Sequence, residues 1–296
     1  MGAEDTDCHS TRGLIGLHHH SEFPLELLLD RKREPVTVVL PTREVADTIG
    51  SIVESLLALP ELVDQVLVVD AASEDGTAEL AERLGAEVHQ EADLMPELGP
   101  PLGKGDAMWR ALSVARGELI AYLDSDTRRF SAHFAAGMLG PLLLDPGARF
   151  VKGTFRRPFA TPGGQELPAD GGRVTELMAR PLLSAFYPEL AGFVQPLAGE
   201  VAARRELFHR LPFATGYAVE TAMLLDVHEL LGGTEGMVEV DLDVRRNRHK
   251  PLAELGPMAD EVLRVVADRL RRDGRLLDAE DPLVARPPFA SLRIAA

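Results

Sequence analysis

Short apolar runs alternate with helical apolar stripes through the first half of the chain. Runs of β-branched and aliphatic residues predict buried strands at 36–40, 66–69, 86–89 and 119–123. Apolar residues at helical spacing predict helices between them, at 45–57, 80–84 and 106–116. This alternation indicates an α/β fold in which helices flank a mostly parallel, Rossmann-like sheet.

The second half of the chain is less regular. Apolar and alternating patterns predict strands at 150–155 and 238–244 and helices at 174–186, 200–210, 217–231 and 255–271. Between them, residues 158–172 hold three prolines and four glycines, which predicts a mobile loop.

The two ends of the chain carry little pattern. We expect regular structure to begin at Val36, with an N-terminal arm over 1–34 and a C-terminal arm over 281–296. The tract His18-His19-His20 suggests metal binding, but a disordered arm is the interpretation we favour. The boundary between the two halves of the fold, 35–150 and 151–280, is placed at the end of the regular alternation.

Composition narrows the class of protein. The chain of 296 residues is 45% hydrophobic, which suffices for a folded core, and its net charge of −16 argues against nucleic-acid and membrane partners. The single cysteine, Cys8, excludes an internal disulfide and a cysteine zinc cluster. We expect a cytoplasmic protein without a signal peptide, and a homodimer. The few lysines, among them Lys104 and Lys152, are either anion ligands or solvated charges.

Polar turns follow three of the predicted strands. The turns Pro41-Thr42-Arg43-Glu44, Asp70–Asp75 and Asp124-Ser125-Asp126 should converge, because ligands of parallel sheets bind at the carboxyl ends of the strands. Two carboxylates at this edge suit Mg²⁺ or Mn²⁺, although an acidic turn without a ligand is an equally open interpretation.

Three further turns could hold an anion. Glycines flank Lys104 at a predicted helix start, where backbone can approach a ligand, although an exposed turn would look the same. The segment Gly171-Gly172-Arg173-Val174-Thr175 is either a phosphate or carboxylate cradle or a plain helix cap. The basic turn 245–250 is either a diphosphate site or a solvated face.

Taken together, these motifs resemble a known family. The three strand-end turns resemble the GT-A glycosyltransferase core. The pieces Gly103–Asp106, Gly172–Leu177, Tyr217–Glu220 and Arg248–Leu252 resemble the glucosyl-3-phosphoglycerate synthases and their mannosyl-transferring relatives. The resemblance covers about residues 20–275.

The resemblance implies a retaining, metal-dependent glycosyltransferase. The family moves glucose or mannose from UDP-glucose or GDP-mannose to the 2-hydroxyl of 3-phosphoglycerate, which yields the precursor of glucosylglycerate or mannosylglycerate. Residues 35–150 would then bind the nucleotide sugar and 151–280 the acceptor. The cofactor would be Mg²⁺ or Mn²⁺.

The resemblance also assigns roles to residues. Donor binding falls to Pro41, Thr42, Glu44, Ala71, Lys104, Asp124, Ser125, Tyr217, Glu220 and Arg245. Acceptor binding falls to Gly172, Arg173, Val174, Thr175 and Asn247, metal binding to Asp126 and His249, and catalysis to Glu220, Lys104 and Asp126. Asn247 and His249 stand in reversed order compared with many members, and His249 is preferred at the metal because imidazole is the better ligand.

Three other functions compete with this one. An inverting GT-A transferase acting on polysaccharide or glycolipid often carries a QxxRW motif, but no glutamine stands three residues before Trp109. A nucleotidyltransferase would carry a glycine-rich loop after the first strand, where Pro41-Thr42-Arg43-Glu44 has no glycine. A nucleotide-sugar-binding module would not need three anion-binding turns at one edge.

Overall fold

A mixed β-sheet forms the centre of the structure. The structure is a computed structural model, and it describes residues 15–160, 166–167, 172–246, 251–276 and 285–291. In chain order, the strands are β1 Gly16–His19, β2 Val36–Thr42, β3 Gln65–Asp70, β4 Glu87–Gln90, β5 Leu119–Tyr122, β6 Phe150–Arg156, β7 Phe159–Ala160, β8 Glu166–Leu167, β9 Val201–Arg204, β10 Phe213–Ala214, β11 Met237–Val244 and β12 Ala285–Arg286. The central sheet has the order β1-β11-β6-β9-β5-β2-β3-β4. In it β9 runs antiparallel to both of its neighbours and the other pairs are parallel, so the predicted mostly parallel α/β fold is confirmed.

Helices cover both faces of this sheet. They are α1 Leu25–Arg31, α2 Ala46–Leu57, α3 Thr77–Leu84, α4 Lys104–Ala111, α5 His133–Leu144, α6 Arg180–Phe186, α7 Arg205–Arg210, α8 Val219–Leu231 and α9 Leu252–Arg272. A π-helical turn, Thr175–Ala179, leads into α6. No helix in the described part of the chain is both long and apolar enough to cross a membrane.

Alternate side chains of the central strands enter two separate cores. Val38 and Leu40 of β2 pack in one core with Ile49 and Ile52 of α2, whereas Val39 packs in the other core with Trp109 of α4. Because both faces of β2 are buried, the strand reads as one continuous apolar run rather than as an alternating pattern.

The expectation that regular structure begins at Val36 is wrong. Strand β1 lies within the predicted arm and pairs in parallel with β11, from Gly16 opposite Val238 to His19 opposite Asp241. Helix α1 follows and buries Leu28 completely. The sequence hides this strand because β1 is an edge strand with an outward Leu17 that is 58% exposed, and its partner lies more than 200 residues away.

The predicted helix over 200–210 is correct only in its second half. Residues Val201–Arg204 form β9, and α7 begins at Arg205. The two alanines of β9 carry a helical propensity that the pairing with β5 and β6 overrides. Most of the predicted loop 158–172 lies outside the described residues, although β7 and β8 within it pair antiparallel.

The C-terminal arm docks on the domain where it is described. Strand β12 pairs with β10, and Arg286 Nε donates to Asp106 Oδ1 of α4 at 2.6 Å. The Trp109 indole N–H donates to the carbonyl of Pro287 at 3.0 Å. Residues 285–291 therefore brace α4, the helix that begins at Lys104.

The packing of the N-terminal segment on α5 can be tested at Gly140. A Cβ at this position would lie 2.7 Å from Phe23 Cβ, so alanine must push Phe23 outward. We expect Gly140→Ala to lower the free energy of unfolding by about 1–3 kcal/mol, as overpacking does. Urea denaturation measures the loss.

The matched control is Gly256→Ala, also within a helix, where a Cβ meets no described atom within 4 Å. Gly256 and Gly140 both precede a proline inside a helix, where alanine is restricted, so the control carries this cost without the clash and should lose less stability than Gly140→Ala. Equal stability of the two variants would show that Phe23 does not pack as described.

Candidate active site

The carboxyl ends of β2, β3 and β5 meet at one edge of the sheet, and the expected convergence of their turns is confirmed. Thr42 Oγ1 donates to Asp70 Oδ1 at 2.9 Å, which joins the ends of β2 and β3. Ser125 Oγ donates to the carbonyl of Pro41 at 2.6 Å, which joins β2 to the turn after β5. Because Thr42 and Ser125 are both buried, their hydroxyls position the edge from within.

The turn after β3 is shaped by its own hydrogen bonds. Asp70 accepts from the backbone N–H and the hydroxyl of Ser73, at 2.8 and 2.7 Å. Glu44 accepts from the Glu74 N–H at 2.8 Å, while its own N–H donates to Ser73 Oγ at 2.9 Å. The Ala71 N–H donates to the carbonyl of Thr42 at 2.9 Å. The turns expected to bind the donor are therefore held in place by their own hydrogen bonds.

Lys104 connects two parts of the site. Its ammonium donates to Asp124 Oδ1 at 2.5 Å and to Glu220 Oε1 at 2.7 Å. Burial alone lowers the pKa of an ammonium, but these two carboxylates outweigh it and hold the pKa of Lys104 above its ordinary value. The charge at the start of α4 is therefore permanent at neutral pH.

The glycines beside Lys104 have a different role from the one expected. The sequence predicts that they admit a ligand, but a Cβ at Gly105 would overlap the carbonyl oxygen of Ala214. A Cβ at Gly103, where φ is +89°, would lie 3.4 Å from the Cα of Gly216. The two glycines thus let α4 approach the backbone of 214–216, which brings Lys104 next to Tyr217 and Glu220.

Arg245 is the most heavily bonded side chain of the site. It follows β11, is 2% exposed, and lies 2.8 Å from Asp124 and 2.5 Å from Asp126. Its Nε donates to Thr127 Oγ1 at 3.0 Å, and its guanidinium lies over the ring of Phe155. Burial raises the pKa of Asp124, but Lys104 and Arg245 outweigh burial and hold that pKa below its ordinary value.

Two further positions at this edge, Gly199 and Glu200, are marked by no motif in the sequence. Because β9 runs antiparallel, its first residue lies at the carboxyl edge of the parallel strands, and both positions directly precede it. Glu200 lies 3.3 Å from Arg245 and is 1% exposed. Burial raises the pKa of Glu200. A Cβ at Gly199 would overlap the Asp124 carboxylate and lie 2.5 Å from Lys104 Nζ. The predicted helix over 200–210 places Glu200 inside a helix rather than directly before a strand, so the sequence pattern does not point to these two positions.

Lys152 and Glu239 are buried below this edge. They are register partners on β6 and β11. Lys152 Nζ donates to the carbonyl of Ala198 at 2.7 Å, and Glu239 accepts from the N–H groups of Val194 and Gln195, both at 2.8 Å. A lysine inside an apolar strand is the signal in the sequence, and from the sequence Lys152 is either an anion ligand or a solvated charge. It is neither of these, because it holds a backbone carbonyl in the interior.

The segment expected to bind the acceptor begins at Gly172. Its φ of +90° lies in the left-handed region, which favours glycine. A Cβ at Gly172 would lie 3.8 Å from Gln195 Oε1, so Gln195 is its neighbour in space. Gln195 Nε2 donates to the carbonyl of Phe155 at 3.5 Å, beneath Arg245. Val174 and Thr175 are buried and Arg173 is half-buried. The segment therefore adjoins the donor edge through Gln195 and Phe155.

The remaining predicted residues divide into two groups. Glu220 and the 43%-exposed Tyr217 lie at the start of α8, beside α4. Asn247, His249 and Gly171 lie outside the described residues. The assigned roles of all these side chains stay predictions.

Comparisons with known proteins agree with this geometry. The family model "Glycosyl transferase family 2" matches residues 37–159, which hold the three converging turns. A glucosyl-3-phosphoglycerate synthase of Petrotoga mobilis is 39% identical over 87% of this chain and 81% of its own.

Two solved structures are similar over nearly the whole chain. Mannosyl-3-phosphoglycerate synthase of Rubrobacter xylanophilus has a TM-score of 0.86 and 49% identity, over 94% of this chain and 96% of that one. Glucosyl-3-phosphoglycerate synthase of Mycobacterium tuberculosis, in complex with Mn²⁺, UDP-glucose and phosphoglyceric acid, has a TM-score of 0.82 and 35% identity, over 94% and 99%.

The buried Lys152 predicts a pH dependence of stability. Burial lowers the pKa of Lys152 to about 8, from 10.5 in the unfolded chain. Between these values the unfolded chain binds more protons than the folded protein, so the Lys152 contribution to stability rises with pH. We expect the free energy of unfolding of the unsubstituted protein, relative to Lys152→Met, to increase from pH 8 to about 10.5.

Urea denaturation of both proteins over this pH range measures the difference. Taking the difference cancels the titration of groups that the two proteins share. A pH-independent difference would contradict the burial of this ammonium.

Proposed function

The chain belongs to the family of glucosyl- and mannosyl-3-phosphoglycerate synthases, and on this premise we propose that it transfers a hexose from a nucleotide sugar to 3-phosphoglycerate. The donor is UDP-glucose or GDP-mannose, and the sugar goes to the 2-hydroxyl of the acceptor. The product is glucosyl- or mannosyl-3-phosphoglycerate. The family also disfavours the inverting transferase of polysaccharide or glycolipid as an alternative.

The observation that carries this function is the ammonium of Lys104 between two carboxylates. Asp124 belongs to the strand edge expected to bind the donor, and Glu220 to the helix start expected to face the transferred sugar. An ammonium has three N–H donors, and these two bonds use two of them. The third is directed to an oxygen of the donor, so that Lys104 orients the donor relative to Glu220.

Asp126 fits the divalent metal of such a reaction. Its carboxylate is 44% exposed at the ligand edge, and oxygen ligands are those that Mg²⁺ and Mn²⁺ prefer. A bound metal would neutralise the diphosphate of the donor. Arg245 holds Asp126 from the buried side. The second ligand expected, His249, lies outside the described residues.

The segment expected to bind the acceptor, 172–175, carries groups that can bind a phosphate. Arg173 stands in the first helical turn after Gly172, where backbone N–H groups point out of the helix end. The hydroxyl of Thr175 follows one half-turn later. An arginine fork with backbone N–H groups binds phosphate more strongly than neutral donors do.

The transfer retains the anomeric configuration through reaction on one face of the sugar. The bond from the anomeric carbon to the diphosphate breaks, and a bond to the acceptor 2-oxygen forms. The proton of the 2-hydroxyl passes to an oxygen of the leaving diphosphate. Glu220 stabilises the positive charge that grows on the sugar. Its bond to Lys104 weakens it as a nucleophile, which favours electrostatic stabilisation over a covalent intermediate.

The homodimer and the cytoplasmic location expected from the sequence stay predictions. Size-exclusion chromatography with light scattering tests the first and fractionation of cells tests the second.

The proposed function is tested by an activity screen of donors against acceptors with Mg²⁺ or Mn²⁺. We expect turnover with 3-phosphoglycerate and one of the two donors, and none after chelation. Asp126→Ala should abolish turnover and most donor affinity, because it removes a metal ligand. The exposed Asp93→Ala is the control and should be fully active. Full activity in chelator would overturn the metal assignment, and inactivity with every donor would overturn the function.

Arg173→Ala tests the acceptor site. A lost charge-assisted hydrogen bond costs about 1.5–3 kcal/mol, so kcat/KM for 3-phosphoglycerate should fall ten- to over a hundred-fold. Donor affinity, measured by calorimetry, should change little. Arg264→Ala on the exposed face of α9 is the matched control. Equal losses for donor and acceptor would assign Arg173 to the fold instead.

Variants of Glu220 separate the two retaining mechanisms. Glu220→Gln keeps a hydrogen-bond acceptor for Lys104, so we expect measurable residual activity, whereas Glu220→Ala should be less active. Glu229→Gln, exposed on the same helix, is the control. Mass spectrometry of the enzyme mixed with donor should find no glycosyl ester on Glu220. A trapped ester would establish double displacement.

A further inference from the structure

Two histidines and a carboxylate form a cluster where β1 meets β11, apart from the proposed active site. His19 Nε2 lies 3.4 Å from Asp243 Oδ1, and His20 Nε2 lies 2.7 Å from Asp243 Oδ2. One ligand atom from each of the three residues lies within 4.8 Å of the others. We propose that His19, His20 and Asp243 bind a divalent transition metal of the zinc class, which clamps β1 to β11.

The backbone brings these three side chains to one place. Successive residues of a strand point to opposite faces, but β1 ends at His19 and a helical turn begins at His20. Both rings therefore reach the same side, with their centroids 4.3 Å apart. On β11, the pairing is irregular between Asp241 and Val244, and Asp243 has a left-handed φ of 68°. This bulge places the Asp243 carboxylate at both imidazoles.

The donor set selects the metal. Two imidazoles and one carboxylate form a common ligand set of zinc, with water in the fourth position. Neighbouring ligand atoms in a tetrahedral zinc site lie about 3.3 Å apart, given bonds of about 2.0–2.1 Å. His19 and His20 approach different oxygens of Asp243, at 3.4 and 2.7 Å, and one ligand atom from each of the three residues lies within 4.8 Å of the others, so small side-chain rotations bring them to this spacing. Mg²⁺ and Ca²⁺ are disfavoured because they prefer oxygen ligands.

Neighbouring groups hold the two rings in position. His19 Nδ1 lies 2.7 Å from Ser21 Oγ, which leaves Nε2 directed at Asp243. His20 packs against His133 at 4.3 Å between ring centroids. The ring nitrogens of His133 contact Ser131 Oγ and the Leu242 carbonyl, so His133 supports the cluster without being a ligand.

One cation competes for the same carboxylate. Arg156 Nη2 lies 3.2 Å from Asp243 Oδ1, but its side chain is 60% exposed and can move into solvent when a metal enters. His18, the third histidine of the tract, contacts Glu22 at 3.0 Å instead. The structure thus supplies a competitor, Arg156, and a matched control, His18.

The clamp would act on the active site through β11. Asp243 stands two residues before Arg245, which is bonded to Asp124 and Asp126. A metal on Asp243 fixes the end of β11 to the neighbouring strand. The proposed role is therefore structural, and the metal is distinct from the one expected at Asp126.

Zinc titration by calorimetry tests the proposal in Asp126→Ala/His249→Ala, a background that lacks both ligands expected at the donor site. We expect one Zn²⁺ per chain. Adding His20→Ala or Asp243→Asn should weaken binding at least roughly tenfold, since even outer-shell changes cost this much. Adding His18→Ala should leave it unchanged. Adding Arg156→Ala should tighten it several-fold by removing the competitor.

A thermal-shift measurement on the same proteins guards against variants that misfold. Saturating Zn²⁺ should raise the Tm of the background protein by about 5 °C or more, and should not raise that of the His20→Ala protein. Co²⁺ bound to the background protein should show the intense visible absorption of a four- or five-coordinate site. Undetectable Zn²⁺ binding, or binding that is equally strong without His20 and Asp243, would overturn the proposal.

Discussion

The site depends on one buried guanidinium and the carboxylates that compensate it. Arg245 follows β11, yet its partners Asp124 and Asp126 follow β5, which lies beyond β6 and β9 in the sheet. Glu200 precedes the antiparallel β9 and so enters the same cluster from the intervening strand. Because β9 is antiparallel to its neighbours, the residues that precede it lie at the edge where the parallel strands end. Removing one partner of such a buried pair costs about 3–5 kcal/mol of stability. The ion pairs of the site therefore also stabilise this order of strands.

Charge balance in this cluster bears on how the substrate is held. Among the described residues, the carboxylates Asp124, Asp126, Glu200, Glu220 and Glu239 lie near the cations Lys104, Arg245, Lys152 and Arg157. A diphosphate would add negative charge to a site whose described residues carry no surplus of positive charge. A divalent cation carried in with the donor removes this difficulty, which is a physical reason for metal dependence that is independent of the family.

The sequence predicts those features that are encoded locally. Strands β2, β3 and β5 and the polar turns after them are visible because burial on both faces produces continuous apolar runs with abrupt polar ends. Features that depend on distant partners were missed. The short β1 is stabilised by β11, and the glycines at 103, 105 and 199 are required by backbone or side chains that approach from elsewhere in the chain. The sequence therefore marks Gly103 and Gly105 but not the backbone that approaches them, and it does not mark Gly199.

The buried pair Lys152 and Glu239 explains how an irregular segment can carry precise chemistry. Residues 194–200 form no described strand or helix, so their backbone groups lack the partners that regular structure supplies. Lys152 satisfies the carbonyl of Ala198, and Glu239 satisfies the N–H groups of Val194 and Gln195. An apolar pair would pack as well but would leave the buried carbonyl of Ala198 unsatisfied, at about 1–3 kcal/mol, and would remove the partners of the two partly buried N–H groups. Because Gly199 and Glu200 follow directly, the buried pair Lys152 and Glu239 fixes the position of the acid beside Arg245 from beneath.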